Sequence, residues 1–247
     1  MAKWNDPQPS RTGFGASPSL EGTATGTATY DMGLRRHMLS IYNYMTSGVL
    51  LSGVVALLMA RSGMAATLMT SPVKWLFILS PLAIVMAMSF GQNRFSTGSL
   101  KAMFWAFAAL MGVSLSTIFL VYTSGSIATT FFATAAAFAG LSLFGYTTQK
   151  DLSGFGTFLI MGVVGLIVAS LLNLWLQSSS LMWAISALGV LIFAGLTAYD
   201  TQMLKRQYYA VAGSDFAGKA VVLGALTLYL DFINMFQFLL SFMGNRE

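Results

Sequence analysis

The chain has 247 residues, of which 56% are hydrophobic and 9% are charged, and its formal net charge is +5. A soluble domain usually carries about 25% charged residues, so this composition excludes the ordinary soluble classes and indicates a polytopic membrane protein. The sequence contains no cysteine, which excludes disulfides and thiolate metal sites. Its one histidine, His37, follows Arg35 and Arg36 and lacks the clustered ligands of a metal site.

Residues 1–30 are rich in Gly, Ser, Thr and Pro, which predicts a disordered polar tail. Seven apolar stretches follow, each of about the 20 residues that a helix needs to cross a bilayer. They are residues 39–60, 73–90, 100–122, 126–146, 155–176, 181–204 and 219–243. Lipid cannot satisfy an open backbone, so the spans must be helical. The predicted fold class is therefore all-α, with a seven-helix transmembrane domain over residues 31–247.

The distribution of lysine and arginine predicts the orientation. Eight of these residues lie near span ends on the side of the N-terminus, and three lie on the other side. Basic loops stay in the cytoplasm, so we expect a cytoplasmic N-terminus in the cell (inner) membrane. After seven crossings the C-terminus would lie on the opposite side. If the last stretch turned back inside the membrane, the C-terminus would be cytoplasmic instead.

Two of the eight acidic residues, Asp200 and Asp231, fall inside apolar stretches. An ionised aspartate at the bilayer centre costs about 2.5–3.5 kcal/mol on insertion scales, and such residues usually face a cavity or the bundle interior. Polar residues share a helical face with each acid by their spacing. They are Thr197 and Thr201 beside the first acid, and Thr227, Asn234 and Ser241 beside the second. This pattern indicates a wet seam between the last two helices.

The two acids reach the same depth if the sixth helix continues past Arg206 to about Tyr209, or if the last helix begins late or is broken. The segment "KRQYYA" (205–210) has no Pro or Gly, which favours the extension. Two carboxylates in a partly dry site cannot both ionise cheaply. Such a pair can share a proton or bind a cation, and carboxylate oxygens suit Ca²⁺. The alternative is a structural hydrogen-bonded pair with no transport role.

The blocks "GLTAYDTQMLK" (195–205) and "GALTLYLDFINMFQFLLSFMGNRE" (224–247) resemble the Bax-inhibitor family of seven-helix membrane proteins (transmembrane Bax inhibitor motif, TMBIM), in its bacterial YccA-like branch. The resemblance covers about residues 30–247. It implies a bundle with the last helix central and a pH-sensitive Ca²⁺ leak, in which Asp200 and Asp231 form a hydrogen-bonded pH sensor. The polar groups expected around this pair are Tyr199, Thr201, Gln202, Asn234 and Thr227.

In the family, a basic residue of the second-helix region can pair with the first aspartate in the closed state. The nearest position in this sequence is Arg94, and Arg61 is a weaker one. Many members have an arginine where this chain has Ser241. A basic contact made by that arginine near the C-terminus therefore has no counterpart here.

Two functions therefore compete. The first is a passive, pH-gated cation leak that carries Ca²⁺ or protons, with Asp200 and Asp231 as candidate Ca²⁺ ligands. The second is a non-conducting membrane regulator that binds a membrane protease or a stress-response complex, for which the polar tail is the supporting feature. An enzyme is not expected, because no histidine lies in an apolar stretch and neither H-E-x-x-H nor a phosphate loop is present. We expect the lipid bilayer as a partner, no bound cofactor, and no nucleic acid.

Overall fold

The structure is a computed structural model that describes residues 21–245, with side chains described for residues 32–245. Within this range the chain is helical and contains no strand. The helices are α1 (Glu21–Arg61), α2 (Met64–Thr70), α3 (Lys74–Gly91), α4 (Thr97–Leu115), a 3-10 helix (Ser116–Leu120) that continues α4, α5 (Ser124–Thr147), α6 (Ser153–Leu176), α7 (Ser179–Val211) and α8 (Ala217–Met243).

In the described part of the chain, seven helices are long and apolar enough to cross a membrane, which confirms the predicted fold class. The short α2, with 7 residues, lies between the first two spans. Within the described residues, the helical bundle begins at His37, and residues 21–36 belong to a separate unit.

Local sequence sets where several spans begin and end. The side chains of Ser96, Thr123 and Ser178 each accept a hydrogen bond from a backbone N–H in the first turn of α4, α5 and α7. Such N-caps satisfy donors that a helix start leaves without partners. At the end of α6, Gln177 adopts a left-handed conformation (φ 47°), which stops the helix and lets α7 start two residues later.

The last helix occupies the centre of the bundle, as the family resemblance implies. In its most apolar window 61% of the residues are buried, against 11% in α3 and 17% in α6. Its Tyr229 makes edge-to-face ring contacts with Phe104 and Phe107 of α4. Lipid gives little hydrophobic drive for helix association, so packing and interhelical hydrogen bonds hold such a bundle together. One example is Ser52 of α1, whose hydroxyl lies 2.6 Å from that of Tyr229.

Hydrogen bonds between distant segments define the two faces of the bundle. On one face the Lys219 ammonium donates to the carbonyl of Gln92, which joins the start of α8 to the end of α3. We call this the basic face; it carries loops 92–96, 148–152 and 212–216. On the opposite face Thr123 N–H donates to the carbonyl of Asn245, beyond the end of α8. The last helix runs unbroken from one face to the other, so it does not turn back.

The structure differs from the sequence prediction at two places. Residues 21–30, predicted as part of the disordered tail, form the first turns of α1. Extending a helix costs less than nucleating one, and no proline lies between Pro18 and the end of α1 at Arg61. Residues 1–20, the rest of the predicted tail, lie outside the described residues. The second difference is the end of α7, which lies at Val211 and not at residue 204, where the sixth apolar stretch ends. This longer helix confirms the expected extension through "KRQYYA".

Candidate functional site

The structure brings Asp200 of α7 and Asp231 of α8 together. The two helices run antiparallel, and the two carboxyl groups lie close enough to interact directly. Both side chains are buried, with 8% of Asp200 and 4% of Asp231 exposed. The long α7 makes this possible. Because it continues to Val211, the connection to α8 lies beyond the level of Leu204 and the two acids reach one depth.

A hydrogen bond between two carboxyl groups requires a proton, because an ionised carboxylate is an acceptor only. The two groups can therefore hydrogen-bond to each other only while at least one of them keeps its proton. The hydrogen bonding of the pair is incomplete, since Oδ2 of Asp231 is buried and has no partner in the described part of the chain. Leaving a buried acceptor unsatisfied costs about 1–3 kcal/mol, and such atoms are common at functional sites.

Three of the polar neighbours expected from the sequence bond elsewhere. The hydroxyl of Thr201 lies 3.2 Å from that of Ser142 on α5. Thr227 and Asn234 each donate to the carbonyl four residues earlier in α8, at 3.2 Å and 2.8 Å. Within residues 32–245 these groups make no hydrogen bond to either aspartate, so they line the surroundings of the pair and do not hold it.

Gln202 fastens the loop between α5 and α6 onto α7. Its amide oxygen accepts from the N–H of Leu152 at 3.0 Å and from Arg206 at 2.9 Å. Its amide nitrogen donates to the carbonyl of Lys150 at 2.8 Å. Gln202 therefore holds the loop between α5 and α6 against α7. Within the described residues it makes no hydrogen bond to either aspartate.

The same loop carries an ion pair at the basic face. Arg206 lies 2.9 Å from Asp151. Hydrogen bonds from Ser153, followed by that from Arg206, lower the pKa of Asp151 to about 2. The carboxyl group is largely exposed, so water screens the attraction and the contact mainly positions the loop.

Two other predicted residues lie away from the aspartates. The ring of Tyr199 covers Gly156 of α6, where a Cβ would collide with it. Arg94 is exposed in the loop after α3. Among the described side chains it forms no ion pair with either aspartate, and the weaker choice, Arg61, borders a cavity near the other end of the bundle. The structure therefore shows no arginine contact with Asp200.

The pair alone does not make a resident metal site. Ca²⁺ takes 6–8 oxygen ligands. Within the described residues no group of three or more His, Cys, Asp or Glu side chains lies close enough to hold a metal ion. Two carboxyl groups therefore suit transient binding of a cation better than stable binding.

Sequence reasoning missed a polar cavity of about 550 Å³ between the end of α6, the start of α7 and the end of α8. Nine of its thirteen lining residues are polar and none is charged. The signal was present as Ser, Asn and Gln within or beside apolar stretches, for example Asn173 and Gln237. These residues stand out less than aspartate because they carry no charge. Asn234, predicted as a neighbour of the pair, is also part of this lining.

Comparison with known proteins decides the family. The family described as "Inhibitor of apoptosis-promoting Bax1" matches residues 34–247. The chain belongs to the Bax inhibitor family. This match covers every span of the bundle and both aspartate blocks.

Several members of the Bax inhibitor family are similar over most of their length. The chain is 47% identical over 232 residues to an uncharacterized protein of Caulobacter vibrioides, covering 88% of this chain and 92% of the relative. It is 46% identical over 219 residues to the inner membrane protein YbhL of Escherichia coli, covering 87% and 94%. A protein of Rickettsia prowazekii is 44% identical over 236 residues, covering 91% and 96%. With its seven apolar helices, this Bax inhibitor family protein is a multi-pass membrane protein.

Proposed function

We propose that this Bax inhibitor family protein is a passive, pH-sensitive cation leak of the cell (inner) membrane, with Ca²⁺ as the expected ion. Asp200 and Asp231 serve as its sensor and gate. The observation that carries the proposal is the burial of these two carboxyl groups beside each other. They are also the two acids that the sequence places inside apolar stretches. The proposal requires no catalytic residue and no bound cofactor.

The pair can act as a sensor because its contact depends on protons. Two interacting carboxyl groups lose their protons in two coupled steps, so the pair has states with different charge and different contacts. A shared proton joins α7 to α8 at this point. Its loss leaves two like charges in one place, and a divalent cation can then replace the proton between them. A change in pH therefore changes both the helix contact and the affinity for a cation.

The membrane and the orientation are inferred from the name of a relative and from the positions of basic residues. The relative YbhL is named as an inner membrane protein. Lys150 lies in a loop of the basic face, and Lys219 and Arg206 lie at helix ends beside it. Because basic segments stay in the cytoplasm, we propose that this face is cytoplasmic and that α8 ends on the other side of the membrane.

The test is Ca²⁺ flux into proteoliposomes that contain the full chain and an entrapped indicator. Flux is measured from about pH 6 to about pH 8, because the proposal makes it depend on the protonation of the coupled pair. Wild-type flux should depend on pH. The double variant Asp200→Asn with Asp231→Asn should carry flux without that dependence or none at all. Asp215→Asn, in the exposed loop before α8, is the matched control and should behave like wild type.

Absence of flux at every pH, or a pH dependence that persists in the double variant, would contradict the proposal. The remaining function would then be the regulator. Co-purification of membrane partners with the full chain and with a chain lacking residues 1–30 tests that function, because the regulator predicts loss of partners without the tail.

A further inference from the structure

The polar cavity lies on the face opposite the basic face. Ser170 and Asn173 of α6, Ser186 of α7, and Asn234, Gln237 and Ser241 of α8 provide its polar walls. Its rim includes the connection between α6 and α7, so it opens at the ends of these helices. Along α8 the lining extends from Ser241 to Asn234, which is about 10 Å into the bundle at 1.5 Å per residue.

The polar walls contrast with the rest of the bundle surface. On α6, Leu171 and Leu172 lie beside Ser170 in the sequence but outside the cavity, with 60% and 55% of their side chains exposed. The second cavity of the bundle, about 600 Å³ between α1, α5 and α8, is lined mainly by aliphatic and phenylalanine side chains. Polar residue types therefore make up most of the lining between α6, α7 and α8, whereas apolar residue types make up most of the lining of the other cavity.

The hydrogen bonding of the lining calls for water. Ser186 donates to Ser241 at 2.9 Å, so these two satisfy each other. The side-chain amide of Gln237, in contrast, is exposed and has no hydrogen-bond partner among the described residues. An amide facing hydrocarbon without a partner costs several kcal/mol, roughly 4–8 on transfer to an alkane. Water in the cavity removes that cost.

The inner end of the cavity lies close to the aspartate pair. Asn234 is three residues from Asp231 on α8, which is about 4.5 Å along the helix axis. Phe238, which also lines the cavity, stacks on Phe193 of α7 with ring centroids 5.8 Å apart. In chain order these rings lie between the Ser186–Ser241 contact and the aspartates. Along α8 the cavity therefore reaches within one helical turn of the pair, and the stacked rings of Phe238 and Phe193 form part of its wall.

We propose that this polar cavity is the water-filled vestibule through which hydrated cations and protons approach the aspartate pair from the face opposite the basic face. This inference rests on the proposed leak, because it assigns the entrance of the same pathway. A lining of neutral oxygens and amides suits that role. It hydrates and weakly coordinates a cation but holds no fixed charge that would bind it tightly or repel it.

The absence of cysteine from the sequence allows a direct test, because single-cysteine variants need no other change. Asn234→Cys and Gln237→Cys place thiols in the cavity wall, and Leu172→Cys on α6 is the matched lipid-facing control. Each full-length variant, in sealed proteoliposomes, is treated with a charged, membrane-impermeant methanethiosulfonate. The two cavity variants should react at least about tenfold faster than the control, since only a thiol in water forms the reactive thiolate.

Sidedness and calcium flux separate this inference from the proposed leak. Ser214→Cys lies in the basic-face loop, so it should react with reagent added on that side of the membrane. Reagent added on the same side should not reach Asn234→Cys. Cavity labelling without Ca²⁺ flux in any variant would support the vestibule and contradict the leak. Cavity thiols that react no faster than Leu172→Cys, while Ser179→Cys at the rim reacts rapidly, would overturn the vestibule. The vestibule would also be overturned if the Asn234→Cys variant carried flux like the wild type and labelling of its thiol left that flux unchanged.

Discussion

Gln202 donates a 2.8 Å hydrogen bond from its side-chain amide to the backbone carbonyl of Lys150, in the loop between α5 and α6. The same amide accepts from the N–H of Leu152. Gln202 lies two residues after Asp200 on α7. A movement of α7 at the aspartate pair therefore has to break or carry with it the loop that Gln202 holds, which couples the site to the basic face.

Replacing Gln202 with alanine should loosen this loop. The variant leaves a backbone donor and a backbone acceptor without their partner, and each such loss costs about 1–3 kcal/mol when the group stays buried. We expect a lower unfolding midpoint in mixed micelles and faster hydrogen exchange at the amide of Leu152. Gln207→Ala, on the same helix, is the control and should change stability by less than about 0.5 kcal/mol. Unchanged exchange at Leu152 would show that Gln202 does not hold the loop.

The ion pair of the same loop should not contribute to a pH response near neutrality. The pKa of Asp151 is lowered from 3.8 to about 2 in the folded chain. A lowered pKa means that the hydrogen bonds from Ser153 and the contact with Arg206 stabilise the folded chain fully above pH 3.8, and that this stabilisation is lost as the pH falls toward 2. Asp151→Asn should therefore leave the pH profile of Ca²⁺ flux between about pH 6 and about pH 8 unchanged. A shifted profile in this variant would place Asp151 within the sensor.

The features that the sequence predicted well are those that the membrane imposes. Bilayer thickness fixes the length of a span, so apolar run lengths predicted seven helices. The cost of a charge in lipid made Asp200 and Asp231 conspicuous among their neighbours. The extension of α7 followed from the absence of Pro and Gly in "KRQYYA", together with the depth that the two acids had to share.

Other features depend on contacts that no local pattern records. Gln202 was expected beside the aspartate pair, but it bonds to a loop 52 positions away, and nothing in its own segment predicted that partner. The polar cavity combines residues of three helices. Their side chains are neutral, so placing them in an apolar stretch costs less free energy than placing an aspartate there, and they stand out less in the sequence. The position of Arg94 in the sequence suggested a partner for Asp200, but the loop after α3 carries its side chain into an exposed position.

A double-mutant cycle should measure the contact between the two aspartates. Asp231→Leu alone leaves the carboxyl group of Asp200 buried without its partner, and the reverse holds for Asp200→Leu. The two changes together remove both polar groups, so the double variant should be more stable than the sum of the single effects predicts. We expect a coupling of about 0.5–3 kcal/mol from unfolding in mixed micelles.

The control for this cycle pairs Asp231→Leu with Asp215→Leu, because Asp215 lies in the exposed loop between α7 and α8. Those two effects should add. Additive effects for Asp200 and Asp231 as well would mean that the carboxyl groups do not interact, and the basis of the proposed sensor would be removed.

The stacked rings of Phe238 and Phe193 in the vestibule wall should limit flux. Phe238→Leu removes a ring that stacks on Phe193 and lines the cavity, at a cost in stability of about 0.5–1.5 kcal/mol, and should raise Ca²⁺ flux. Gly189→Ala should lower it, because a Cβ at that position collides with the ring of Phe238 and pushes it toward the cavity. Phe242→Leu is the control, since its ring packs on Trp183 outside the vestibule and flux should not change. Equal flux in all three variants would show that the ring of Phe238 does not stand in the path of the ion.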